Sequence, residues 1–201
     1  MDNRQTAAKN RVVHFVAALN ASKRERLDSS TIPALCRVAV PDDAEVCDWR
    51  IVPSPEAGWL PALEARLPYP LPLTFRLLIS SYVFPAFECG PLAFYSVGVE
   101  VPAEDTEFHA AVLRDRPMIE VLWQHGYLPF ARPADWSYDP VCFDCRHLSP
   151  CTEPAVVRID HEEILCHDRI RINSELSPAF DRLLDRMTAD LIDAVGTPDR
   201  S

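Results

Sequence analysis

The sequence predicts an α+β fold, with a mainly antiparallel sheet of about five or six strands flanked by helices and closed by a C-terminal helix. Three observations predict it. Amphipathic helical periodicity opens and closes the chain. Short strand-like runs with turn signals lie between. The links joining the last of those runs are too short for parallel crossovers, so neighbouring strands should pair antiparallel.

Residues 4–20 read as a helix, because Ala8, Val12, Phe15, Val16 and Leu19 share one face while basic side chains take the other. Residues 21–58 are less regular. A charged, Ser/Thr-rich stretch leads into a β-like run over 35–40, an acidic turn at Asp42, Asp43 and Glu45, and a second run over 49–52. Short helices are expected over 59–67 and over 72–83, with Pro72 near the first turn of the second. Residues 87–97 read as one or two strands broken at Gly90-Pro91. Two helical pieces follow over 103–124, split before Pro117, with Phe108, Val112, Ile119 and Leu122 facing inward and Gly126 as the stop. Strands are expected at 127–131, 141–145, 154–160 and 164–172, the last three as an antiparallel meander. A final helix over 177–195 carries Phe180, Leu183, Leu184, Met187, Leu191 and Ile192 as its apolar stripe.

Composition narrows the possibilities. The 201 residues suit a single domain spanning 1–201, and 48% hydrophobic with 25% charged residues is ordinary for a globular chain. The 5 glycines, at Gly58, Gly90, Gly98, Gly126 and Gly196, are too dispersed to build G-x-G-x-x-G or a Walker loop. The net charge of −10 disfavours direct nucleic-acid binding. That charge is uneven. Residues 1–26 hold Arg4, Lys9, Arg11, Lys23, Arg24 and Arg26 against Asp2 and Glu25, so the remainder carries −14 and would attract a basic partner. No apolar run approaches the roughly 18–20 residues of a membrane span, and the N-terminus lacks an apolar signal-peptide centre. The 7 cysteines are an odd number without the density of a secreted scaffold, which predicts a reducing, cytoplasmic setting.

Five segments in order resemble a known family. They are Leu71-Pro72-Leu73-Thr74-Phe75-Arg76-Leu77-Leu78; Tyr127-Leu128-Pro129-Phe130-Ala131; Asp139-Pro140-Val141-Cys142-Phe143-Asp144; Pro154-Ala155-Val156-Val157 followed by Asp160-His161-Glu162; and Ala179-Phe180-Asp181-Arg182-Leu183-Leu184. Together they resemble the SUKH superfamily of Smi/Knr-type cell-wall regulators and bacterial immunity proteins. The resemblance covers a core of residues 49–190 and leaves an N-terminal helix and irregular extension, 1–48, outside it. One departure is the glycine-free turn over 145–153, where many members have a glycine-containing hairpin. The resemblance implies an antiparallel sheet flanked by helices, a protein-binding role and no catalytic set. It implies a cognate toxin domain as partner, many such toxins being nucleases. A regulatory or scaffolding protein of the same fold is the alternative.

Cys142-x-x-Cys145, with Cys151 and Cys166 downstream and His147, His161 and His167 nearby, invites a zinc or thiol site. On a strand, however, Cys142 and Cys145 point to opposite faces, so no metal and no cofactor is expected. His161 and His167 stand six apart in what reads as a strand-to-turn, unlike the i,i+4 pair of an H-E-x-x-H helix. Trp136, Tyr138 and Asp139, held between Pro133 and Pro140, suit either a binding loop or a cover for the sheet edge. The candidate partner-binding residues are therefore Trp136, Tyr138 and Asp139, with the acidic pairs Glu104, Asp105 and Glu162, Glu163.

Overall fold

The computed structural model describes residues 3–38, 45–55, 58–98, 107–135, 137–149 and 152–196. The predicted first stripe forms helix α1 (Asn3–Ala21), which buries Val12, Phe15, Val16 and Leu19 in the main core. Its basic side is partly spent: Arg11 bonds Asp185 at 2.7 Å and lies 3.5 Å from Asp181, both on the closing helix α7 (Phe180–Gly196). The N-terminal helix is thus stapled to the C-terminal one, and it also packs on α3 (Leu73–Ser81).

Between α1 and α3 the chain is finer-grained than its periodicity suggests. The expected run over 35–40 starts with a 3-10 turn, Ala34–Cys36, and only then extends as β2 (Arg37–Val38); residues 39–44, including Asp42 and Asp43, lie outside the described residues. The expected run over 49–52 divides. Its start belongs to β3 (Val46–Trp49), which pairs antiparallel with β1 (Leu27–Asp28) and β2, and its end to β4 (Val52–Pro53), which pairs with β5 (Tyr82–Val83). Helix α2 (Trp59–Glu64) precedes α3, whose N-cap is Pro72; α3 stops at Ser81 because Tyr82 turns to extended backbone.

Six strands form the main sheet, in the order β11-β10-β9-β8-β7-β6, every neighbouring pair antiparallel. They are β6 (Phe87–Cys89), β7 (Leu92–Phe94), β8 (Tyr127–Pro133), β9 (Val141–Asp144), β10 (Val156–Ile159) and β11 (Ile172–Ser177). Gly90, at φ +56°, turns the β6–β7 hairpin where the sequence breaks it. The middle of the sheet is covered on both faces, so its strands read as continuous apolar runs instead of alternating ones. Leu128, Phe130, Val141, Phe143 and Val156 face the main core beneath α1, α3 and α7. Tyr127, Cys142, Val157 and Ile159 face a second cluster completed by Val121 and Leu122 of α5 (Arg116–Gln124) and by Ile164 of α6 (His161–His167). Phe75 is the centre of the main core, with ring centroids 5.2–5.6 Å from Phe108, Phe130, Phe143 and Phe180. Phe108 comes from α4 (Glu107–Leu113). Pro129 lacks a ladder donor, and the β8–β9 register slips between it and Ala131, a bulge being one of the places where a strand accommodates proline.

Two sequence expectations are corrected here. The expected strand over 164–172 is instead the C-terminal part of helix α6, a short loop and the first residue of β11. Asp160 caps α6, its Oδ1 accepting from the N–H groups of Glu162 (2.9 Å) and Glu163 (3.2 Å), and Asp168 ends it in the left-handed conformation at φ +51°. The stripe of α7 is narrower than expected: Phe180, Leu183, Leu184 and Met187 are buried, but Ile192 is 58% exposed. Among the described residues, no helix is long and apolar enough to cross a membrane.

Candidate functional site

At the end of the sheet nearest β11, the loop between β8 and β9 meets the start of α6. Pro133 is the last residue of β8 and Pro140 the one before β9, and each fixes its own φ and lacks a backbone donor. Local bonds shape it: Ser137 N–H donates to Asp135 Oδ1 (3.1 Å) and Asp139 N–H to Ser137 Oγ (3.0 Å).

Asp139 is the hub. Grouped with the exposed loop by sequence, it is only 4% exposed. Its Oδ1 accepts from the main-chain N–H of His161 (3.1 Å) and from His161 Nδ1 (2.8 Å); its Oδ2 accepts from Arg158 Nε (2.7 Å) and Asn173 Nδ2 (3.0 Å). Burial pushes this carboxyl's pKa up, but the His161 ring, Arg158, the His161 N–H and Asn173 together outweigh it and hold the group well below the usual carboxylate range. Arg158 also donates to Asp135 Oδ2 at 2.6 Å, tying both ends of the loop to β10. Through these bonds Asp139 joins the loop, β10, α6 and β11.

That anchoring leaves Tyr138 projecting. It is 73% exposed, with its ring centroid 5.9 Å from that of His161. On α6, Glu162 is exposed and carries no ion pair among the described residues, and Leu165, one turn beyond His161, is 54% exposed. Glu163 is half-buried, 3.8 Å from Arg171 Nη1, and Arg171 Nη2 bonds Asp160 at 2.9 Å. The structure therefore brings Tyr138, Asp139, Glu162 and Glu163 to one end of the sheet. Trp136, Glu104 and Asp105 lie outside the described residues.

Asp139–His161 is the arrangement that orients a histidine base in hydrolases. Here, among the described residues, no hydroxyl or thiol bonds its Nε2. The ligand atoms of Asp139, Asp160 and His161 lie within 4.8 Å of one another, a grouping that resembles a cation site. Protein donors already fill it, since Asp139 takes four, including a guanidinium, and Asp160 holds the α6 cap and Arg171. Cys142 and Cys145 face different clusters, as expected of a strand, and both are buried; Cys151 lies outside the described residues. Burial pushes the Cys142 thiol well up and Cys145 to about 12, the latter with help from Asp144, so neither is a ready nucleophile or metal ligand.

Free backbone at a sheet edge is another way to bind a partner, but β11 is blunted. Its pairing with β10 shifts register twice, Asn173 turns in to Asp139, and Arg186 Nη2 bonds the Leu176 carbonyl at 3.0 Å. A second buried carboxylate, Glu153, borders an open cavity of about 400 Å³ at the start of α3. Its Oε1 accepts from Thr74 N–H (3.0 Å) and Oγ1 (3.1 Å), while its Oε2, closed off from solvent, has no hydrogen-bond partner among the described residues.

No family model, no curated protein and no solved structure matches this chain.

The hub was only half-readable from sequence. The sequence points to Asp139, but its partners Arg158, His161 and Asn173 lie 19 to 34 positions away. Helix α6 did have a signal, in Asp160 at the cap position with Glu163 three residues on, which is a capping-box spacing.

Proposed function

We propose that this chain is a non-catalytic protein-binding module, an immunity protein that neutralises a cognate nuclease toxin of a bacterial polymorphic toxin system. The observation that carries the reading is the buried Asp139 hub, which rigidifies a loop only to hold Tyr138 out in solvent beside the α6 acids. An exposed aromatic on an anchored loop suits the role of an interface anchor for a partner. The residues resembling the SUKH superfamily support the same reading, as does the charge of −14 on the chain beyond residue 26, which complements a basic nuclease. Neutralisation is stoichiometric: the module covers the toxin's active site or an adjoining surface and performs no chemistry. Co-expression with the toxin domain of the neighbouring reading frame tests it. The expected result is restored growth and a co-purified one-to-one complex. Persistent toxicity with no complex contradicts it.

A further inference from the structure

Resting on that protein-binding reading, we propose that Tyr138 and His161 form the pocket for an arginine of the partner, its guanidinium lying over the Tyr138 ring while donating to His161 Nε2. The tautomer sets up the contact. Asp139 is held ionised by its donors and has no proton to give, so the 2.8 Å bond requires the hydrogen on His161 Nδ1. With the hydrogen on Nδ1, the neutral form of the ring has its lone pair at Nε2. Among the described residues that nitrogen has no partner, and it is not among the sealed polar atoms, so it opens to solvent.

The surroundings select the donor. The Tyr138 ring centroid stands 5.9 Å from that of the imidazole, with the planes tilted by 53°, and Tyr138 is largely exposed. Glu162, next to His161 on α6, is an exposed carboxylate without an ion pair among the described residues, whereas the nearby cations are committed: Arg158 to Asp135 and Asp139, Arg171 to Asp160 and Glu163. An anion would meet Glu162. A purely apolar group would leave Nε2 without a hydrogen bond. A guanidinium satisfies all three features, because its plane stacks flat on an aromatic while its edge donates in a fixed direction, a planar geometry that an ammonium does not have.

The test titrates the full chain with Nα-acetyl-L-arginine methylamide, followed by the NMR signals of the Tyr138 and His161 rings. Nα-acetyl-L-citrulline methylamide, of the same shape but uncharged, is the control. The arginine compound should shift both rings saturably, and the citrulline compound should bind about tenfold more weakly. Tyr138→Ala should abolish saturation. So should His161→Asn, whose amide N–H still reaches Asp139 but which lacks Nε2; its unchanged backbone signals over 137–139 exclude loop collapse as the cause. Absence of saturable shifts, equal binding of citrulline, or undiminished binding to His161→Asn overturns the contact. If the contact fails while the chain still captures the toxin domain, the protein-binding reading stands without it. If the probe binds and the toxin does not, the reverse holds.

Discussion

His161 donates twice to one oxygen of Asp139, through its main-chain N–H at 3.1 Å and its ring Nδ1 at 2.8 Å. The first bond fixes where α6 begins and the second fixes how its first side chain is turned. A single carboxylate thus sets both the backbone and the chemistry of the exposed end of the sheet.

Replacing that carboxylate should be costly. Asp139→Asn keeps the shape but removes the charge opposite Arg158 and sets an amide among donors, and a loss of about 3 kcal/mol is expected in urea unfolding at pH 7. The pH dependence has a definite sign. The folded pKa is depressed, so the stabilisation is present above the unfolded value near ~3.9 and is lost as the pH falls through the folded one. Wild type should therefore lose stability on acidification below about pH 4 more steeply than Asp139→Asn. Parallel acid limbs would count against the hub.

Glu153 should behave in the opposite sense. Burial raises its pKa, and the two Thr74 bonds only partly offset that. A raised folded pKa gives stability that is complete below the unfolded value near ~4.3 and is lost as the pH rises through the folded one. Glu153→Gln retains an acceptor for Thr74 without the charge. It should be at least as stable as wild type at pH 7, and it should flatten the stability profile between about pH 4 and 7. Thermal melts across that range decide it.

The core prediction separates buried from apolar. Phe75→Ala removes the ring at the centre of four others and should cost about 3–5 kcal/mol. Ile192→Ala, on the same helical stripe as Leu184 by sequence but 58% exposed, should change stability by less than about 0.5 kcal/mol. Chemical denaturation of the two variants compares them directly.

Thiol reactivity follows burial. In native protein, Cys166 on the outer side of α6 should label within minutes, while Cys36, Cys47, Cys89, Cys142 and Cys145 should label only as the chain unfolds. Peptide mapping by mass spectrometry reads each site separately. Rapid labelling of Cys142 or Cys145 in the native state would revive a thiol chemistry for this chain.

The fold was legible in sequence where burial is two-sided or strongly periodic. Tyr127 to Phe130 and Val141 to Phe143 form near-continuous apolar runs because both faces of the sheet are covered, and Phe108, Val112, Ile119 and Leu122 are all buried as their spacing predicts. β11 was misplaced for the converse reason: Ile172 to Glu175 are exposed on an edge strand, so no apolar alternation marks them. Helix α6 carries no apolar stripe to mark it; its one local signal is the Asp160–Glu163 cap spacing, and its other anchor, the bond to Asp139, comes from a distant loop. The site was legible as a loop of aromatics and carboxylates. Its division of labour was not, because burying Asp139 and exposing Tyr138 depends on Arg158, His161 and Asn173 arriving from three other elements.

The central claim, that the Tyr138 end of the sheet is a partner-docking surface, is tested most directly by calorimetric titration of the neighbouring toxin domain into wild type and Tyr138→Ala. The account predicts a tight one-to-one complex that Tyr138→Ala weakens by about thirtyfold or more, the loss of about 2 kcal/mol that marks an interface hot spot. An equally tight complex with Tyr138→Ala, or no complex with wild type, would contradict it.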